Sequence, residues 1–215
     1  MCIRDSHPYM PQLHRIRALR DIPGAGVAKG DLGGWIEREA NLDQSGSAWV
    51  YDNAWVYGDA RVLDNAMVLG YARVFDTAWV SGDAWVYGNA MVYGNAGVFG
   101  NAWVYGDARV LDNAWVHGDA MVLDNAMVSS ADEVLHALVM GSALFRATLY
   151  KTADSHTLRV GCWSGTVPEF RTMIESDRWV NATPEQIKER RPEMLAFASM
   201  CEARITTWGE RDNND

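Results

Sequence analysis

A six-residue period, repeated fourteen times without insertion or deletion, runs from Ala48 to Ala131. Each hexad reads Ala, any residue, Val, any residue, and then, with few exceptions, Gly or Asp followed by Asn or Asp. Ala48-Trp49-Val50-Tyr51-Asp52-Asn53 opens the series, and Ala84-Trp85-Val86-Tyr87-Gly88-Asn89 lies in its middle. A fixed short period marks a solenoid, in which each unit buries its apolar face by stacking on the next. Ala and Val stand two apart, so in an extended strand they point to the same side. The pair that follows is corner chemistry: Gly tolerates positive φ, and Asx side chains bond nearby backbone. Three strand-and-corner units close a triangle of 18 residues, and fourteen hexads give about 4.7 coils. Small Ala and β-branched Val then fill a narrow interior.

This pattern resembles the hexapeptide-repeat left-handed parallel β-helix, in which an aliphatic residue is followed four positions later by a small one. Val50 with Ala54, Val56 with Ala60 and Val86 with Ala90 fit it. The left hand is what the resemblance implies. The period itself excludes a five-residue quadrilateral helix, and the missing glycine-rich nonapeptide pattern excludes a calcium roll.

An open coil leaves unpaired backbone edges, so caps are expected at its ends. Residues 7–47 are expected to form an N-terminal strand and cap: Leu13-His14-Arg15-Ile16-Arg17-Ala18-Leu19 alternates like a strand. Gly30-Asp31-Leu32-Gly33-Gly34-Trp35-Ile36 reads as a tight turn onto the first coil. Residues 132–215 read as a small α+β domain. Leu144 to Tyr150 and Thr157 to Cys162 are two expected strands. Thr166-Val167-Pro168-Glu169 and Thr183-Pro184-Glu185-Gln186 are helix starts of the capping-box type. Met194, Phe197, Cys201, Ile205 and Trp208 form an apolar stripe on a final helix. Residues 1–6, Met1-Cys2-Ile3-Arg4-Asp5-Ser6, match the translated transposon end used in sequencing-library preparation. They are expected to be foreign, with the natural start of the chain elsewhere.

Charge narrows the partners. The net charge is −9, and residues 48–131 hold nine Asp against three Arg, with no Lys or Glu. Phosphate affinity comes from Lys and Arg displacing counterions, so nucleic acid is excluded as a partner of the repeat. Cys2, Cys162 and Cys201 have no paired spacing, which points away from a disulfide framework. No apolar run reaches the roughly 20 residues of a membrane span. The expected location is the bacterial cytoplasm or a phage particle.

The 18-residue coil lays out the exterior. On the first face stand Trp49 and Tyr51, Met67 and Leu69, Trp85 and Tyr87, Trp103 and Tyr105, Met121 and Leu123, all large and apolar. Arg73 and Arg109 interrupt the second face, and Arg61, Ser81, Gly97 and His117 the third. A continuous apolar face marks an interaction surface. Three occupants stay open: the chain's own C-terminal helices or another subunit, with a homo-oligomer such as a trimer; a glycan stacked on flat rings; or no partner, the aromatics simply filling a stiff surface. Ice binding would want Thr columns, and Thr77 is the only Thr in the repeat. The corner residues Asp64, Asn65, Asp83 and Asp119 read as Asx turns and amide ladders, so no metal or cofactor is expected.

Reaction chemistry has few candidates. A zinc-dependent anhydrase site needs several His ligands, and the repeat holds only His117. An acyltransferase needs a His base and an extruded loop; His117 is the candidate base, and no loop interrupts the run. Cys162, in Gly161-Cys162-Trp163-Ser164-Gly165, leads toward a helix start that would favour a thiolate, with His156 or His136 as candidate bases.

Arg15-Ile16-Arg17-Ala18-Leu19, Lys29-Gly30-Asp31-Leu32-Gly33-Gly34-Trp35-Ile36 and Gly161-Cys162-Trp163-Ser164-Gly165-Thr166 with Glu169-Phe170 resemble segments of phage and enterobacterial hexapeptide-repeat proteins. That similarity covers nearly all of residues 13–180 and implies a phage or prophage origin. Members are grouped as transferase-like or polymer-forming on the repeat alone, so no catalytic residue transfers. The expectation is a structural or binding module without chemistry, with a hexapeptide-repeat acyltransferase as the alternative.

Overall fold

The computed structural model describes residues 2–139, 145–177, 179 and 182–212. The chain divides into two compact units, Met1–Asp132 and Glu133–Asp215.

In the first unit each hexad supplies a strand centred on its second residue and its Val, such as Trp85–Val86. Strands 18 residues apart pair in parallel and in register. Trp49, Met67, Trp85, Trp103 and Met121 line up in one sheet. Trp55, Arg73, Met91, Arg109 and Met127 line up in a second, and Arg61, Trp79, Gly97 and Trp115 in a third. The result is a β-solenoid of about five turns. Its backbone ladder repeats three bonds per hexad: the Trp85, Tyr87 and Asn89 N–H groups donate to the carbonyls of Ala102, Val104 and Gly106, each at 2.9 Å. Every hexad Ala and Val from Ala54 to Val122 is fully buried, so the interior is one pair of side chains stacked on copies of itself.

The corner explains the rest of the consensus. In the first thirteen hexads the fifth residue has φ between +51° and +74°. L-residues pay about 1–2 kcal/mol there, Gly nothing, and Asp is among the few that tolerate it. Only Gly and Asp occupy those thirteen positions.

Residues 2–43 close one end of the solenoid. Strands Cys2–Ser6, His14–Arg17 and Leu32–Ile36 pair antiparallel. The last of them then runs parallel to Trp55–Val56, with Trp35 opposite Trp55 and Ile36 opposite Val56. Segment 30–36 is therefore a strand preceded by its turn, not a turn throughout. The Gly33-Gly34 pair serves close approach. A Cβ on Gly33 would sit 2.5 Å from the Val50 carbonyl oxygen, and one on Gly34 2.6 Å from the Val50 side chain. The cap chain thus lies directly on the first coil's core, with Leu13, Ile16 and Ile36 fully buried around it. Beyond it, buried Asn41 donates to the Gly58 and Ala60 carbonyls, at 3.0 and 2.8 Å, continuing the ladder with a side chain.

The second unit is a four-stranded antiparallel sheet, Val134–Val139, Phe145–Lys151, His156–Val160 and Trp163–Gly165, followed by helices α1 (Val167–Glu175) and α2 (Pro184–Asp212). Leu144, expected in a strand, lies outside the described residues. The expected 157–162 strand ends earlier, at Val160, because Gly161 turns the chain at φ +59°. Helix α1 starts at the foreseen capping box: Thr166 and Glu169 exchange side-chain-to-backbone bonds. The stripe Met194, Phe197, Cys201 and Trp208 is buried against Phe170, Ile174, Leu149 and Leu158. Among the described residues no helix is long and apolar enough to cross a membrane.

Candidate binding surface

The outer surface of the solenoid is built from four hexad positions, the second, fourth, fifth and sixth. The sixth position makes amide ladders along the corners: Asn65 donates to Asp83 at 3.0 Å, Asn89 to Asp107 at 3.0 Å, Asn95 to Asn113 at 3.2 Å and Asn101 to Asp119 at 3.1 Å. At the fifth position the aspartates bond downward as well. The Asp52, Asp64 and Asp76 carboxylates accept from the N–H groups of Gly70, Gly82 and Gly94. These corner Asx side chains hold one coil on the next. Among the described residues no cluster of His, Cys, Asp and Glu could hold a metal ion.

The fourth position carries aromatic stacks on more than one column. Tyr57, Phe75 and Tyr93 stack at 5.1 and 4.8 Å with planes within 3°. Tyr87 and Tyr105 stack at 4.7 Å, and Phe99 with His117 at 5.3 Å. Rings one strand spacing apart share faces and turn edges outward. In these stacks the ring faces are shared with one another, whereas a sugar platform, one of the three occupants the sequence leaves open for Tyr51, Tyr87 and Tyr105, needs a face open to the ligand.

The expected apolar face is also shorter than its ten residues. Trp49 is only 1% exposed, and the Tyr51 hydroxyl donates to the Ala25 carbonyl of the N-terminal segment. That burial and neighbouring Asp52 push the Tyr51 phenol above its ordinary value. Both residues belong to the cap contact, because residues 18–27 fold over the first coil. Met67, Trp85, Tyr87, Tyr105 and Met121 are half-buried, and Trp103 is exposed. Trp85 and Trp103 stack at 5.8 Å.

The most exposed tryptophan of the solenoid lies elsewhere. Trp115 is 48% exposed and Trp79 38%, both on the third sheet. Gly97 separates them, and a Cβ there would meet the Trp79 indole nitrogen at 2.6 Å, so Trp79 lies across the space its neighbour lacks. In the sequence the polar members Arg61, Ser81 and His117 of that face mask its two tryptophans. Reading the second and fourth positions as separate columns would have found them.

The catalytic candidates are dispersed. His117 is exposed and stacked on Phe99. Cys162 is exposed in the turn after Gly161, with strand Trp163–Gly165 between it and α1. It therefore lies outside the helix's first turn, which Thr166 caps. The His156 ring accepts the Val167 N–H at 3.0 Å through Nε2, and burial holds its pKa below 6.5. That imidazole serves as a second cap for α1. The His136 ring nitrogen lies 3.4 Å from the Thr148 hydroxyl. Cys201 is buried, and desolvation pushes its thiol up to about 12, so it is packing.

None of the curated proteins compared matches this chain. The two stretches 84–100 and 102–118, whose starts lie one coil apart, are each similar to the YdcK beta solenoid repeat.

Proposed function

We propose that the chain is a structural or binding module without chemistry of its own, phage or prophage encoded, using rigid lateral columns to meet a second copy or an extended ligand. The observation that carries this reading is how the coils spend their side chains. Interior positions are Ala and Val, corner positions are locked in ladders, and consecutive hexads leave no room for a loop. What remains for partners is the aromatic surface, above all Trp79, Trp103 and Trp115. Rings of this kind, held on a stiff support, are the anchors that dominate interfaces. The acyltransferase alternative draws no support from the geometry around His117, whose ring is stacked on Phe99.

Light scattering of the wild type and of a Trp85→Asp, Trp103→Asp double variant tests the assembly. The expected result is an oligomer that falls to a single chain in the variant, with the circular dichroism of the solenoid retained. An unchanged oligomer would refute assembly through this face. Acyl transfer from an acyl-CoA by the wild type, abolished in His117→Ala, would refute the module reading altogether.

A further inference from the structure

A strict repeat makes its departures visible, and two of them meet at one cleft. The sixth hexad position is Asn, Asp or Thr in every hexad except the last, which ends in Ala131, and the fourth, where it is Tyr71. The Tyr71 N–H still donates to the Gly88 carbonyl at 2.8 Å, so the backbone ladder is intact. The phenol ring adds nothing to the amide ladder and is 64% exposed. Two residues on, Arg73 breaks the apolar second-position column. Its guanidinium carbon lies 4.8 Å from the centre of the Trp55 ring. It is exposed, and among the described residues no carboxylate pairs with it. The His7 ring also meets Trp55, edge to face at 5.0 Å, and Trp35 lies opposite Trp55 on the paired strand. Asn53, Trp55, Tyr71, Arg73 and His7 line an open cleft of about 320 Å³.

The chemistry of this cleft is specific. Lying over Trp55 restrains the guanidinium, whose N–H fork can form the two parallel bonds that suit a carboxylate. Trp55 is flanked by His7 and Arg73, so the aromatic face left open is that of Tyr71. Asn53 adds a donor and an acceptor beside it. A flat ring, a fork for one carboxylate and an amide match a pyranose that carries a carboxyl group. A run of phosphates is the poorer match, since its affinity needs several cations close together and this cleft holds one arginine. We infer that Asn53, Tyr71 and Arg73 form a subsite for a uronic-acid residue of an acidic oligosaccharide. Arg109 occupies the same column two coils on, through Met91, about 9.6 Å away at the strand spacing. An extended chain of such sugars lying along the solenoid axis reaches both arginines. The inference rests on the module reading above and names its ligand.

Isothermal titration of the full chain with tetragalacturonate, and with its methyl ester as the same chain without charge, tests it. Wild type is expected to bind the acid and not the ester. Arg73→Gln removes the fork, and Tyr71→Asn restores the residue usual at that position. Each is expected to weaken binding at least about tenfold, the scale of one charge-assisted bond. Arg61→Gln, on another sheet, is expected to change nothing. Equal binding of the ester, full affinity in the Arg73 and Tyr71 variants, an equal loss in Arg61→Gln, or no binding by the wild type would each overturn the subsite. None of these outcomes touches the module reading, which stands or falls on the acyl-transfer and assembly measurements.

Discussion

Val86 in the solenoid and Phe170 in the second unit are both buried, at 0% and 1% exposure, but their surroundings differ in kind. Above and below Val86 in its sheet stand Val68 and Val104, copies of itself on the adjacent coils. Phe170 meets Trp163 at 5.1 Å and Phe197 at 6.2 Å, so one ring joins a strand and two helices. Order in the first unit is a sum of nearest-neighbour steps, each resembling the last. In the second it depends on a few unlike side chains fitting at once. A repeat therefore confines damage to a few coils, whereas a mixed core spreads it.

The largest expected effect follows from that contrast. Phe170→Ala empties the junction of the sheet and both helices, at a cost of about 3–5 kcal/mol. Hydrogen exchange is expected to show lost protection across 145–175 and along α2, with the hexad amides unchanged. Equal loss in the hexads would mean that the two units unfold as one body. Val86→Ala removes two methyl equivalents and leaves a cavity, at about 2 kcal/mol. Its loss of protection is expected in the coils next to Val86, fading by the coil of Trp49. A uniform loss along all five turns would break the nearest-neighbour picture.

What the sequence made legible divides along the same line. The hexad specified sheet, register and interior because one local rule, applied fourteen times, has one solution. The helix starts at Thr166 and Thr183 were legible for a similar reason, being local bonds between residues three apart. Three features were not. The burial of Trp49 depends on residues 18–27 folding back over it, a non-local contact without a periodic trace. The use of Gly33-Gly34 for close approach looks the same in sequence as a turn. The aromatic stacks needed the two outward positions to be separated, since residues at the fourth position stack through ring faces while those at the second lie on the strand.

The corner offers a smaller test of the same comparison. Gly88 has φ +74°, and a Cβ there would lie 3.1 Å from the Gly106 nitrogen. Gly88→Ala is expected to cost about 1–2 kcal/mol, read as a lower urea midpoint for the solenoid transition. Asp64 occupies the equivalent corner at φ +58°, and there the carboxylate recovers a bond from the Gly82 N–H at 3.0 Å, which Ala cannot form. A Gly88→Ala protein as stable as the wild type would mean that the corner does not select its residues by backbone conformation.

The smallest effect concerns protons and separates the units most cleanly. The bond from the Val167 N–H to His156 Nε2 exists only when that nitrogen carries no proton, so it needs the neutral ring. Protonation would also set a cation against the positive end of α1. Burial lowers the folded pKa below 6.5, so the unfolded chain takes up a proton more readily than the folded one. Stability of the second unit is therefore fully present above pH 6.5 and falls as the pH drops through that value toward the lower folded pKa. The ring is only partly buried and solvent screens it, so the change is expected as a modest fall in the urea midpoint of this unit. His156→Gln keeps an acceptor for the Val167 N–H without a titrating group, and is expected to flatten the pH profile while leaving the midpoint at pH 8 nearly unchanged. The solenoid transition serves as the internal control: its backbone ladder of N–H and carbonyl groups does not titrate, and His117 lies outside that ladder. A slope below pH 6.5 that persists in His156→Gln would assign the proton uptake to another group and remove the imidazole cap from the account of α1.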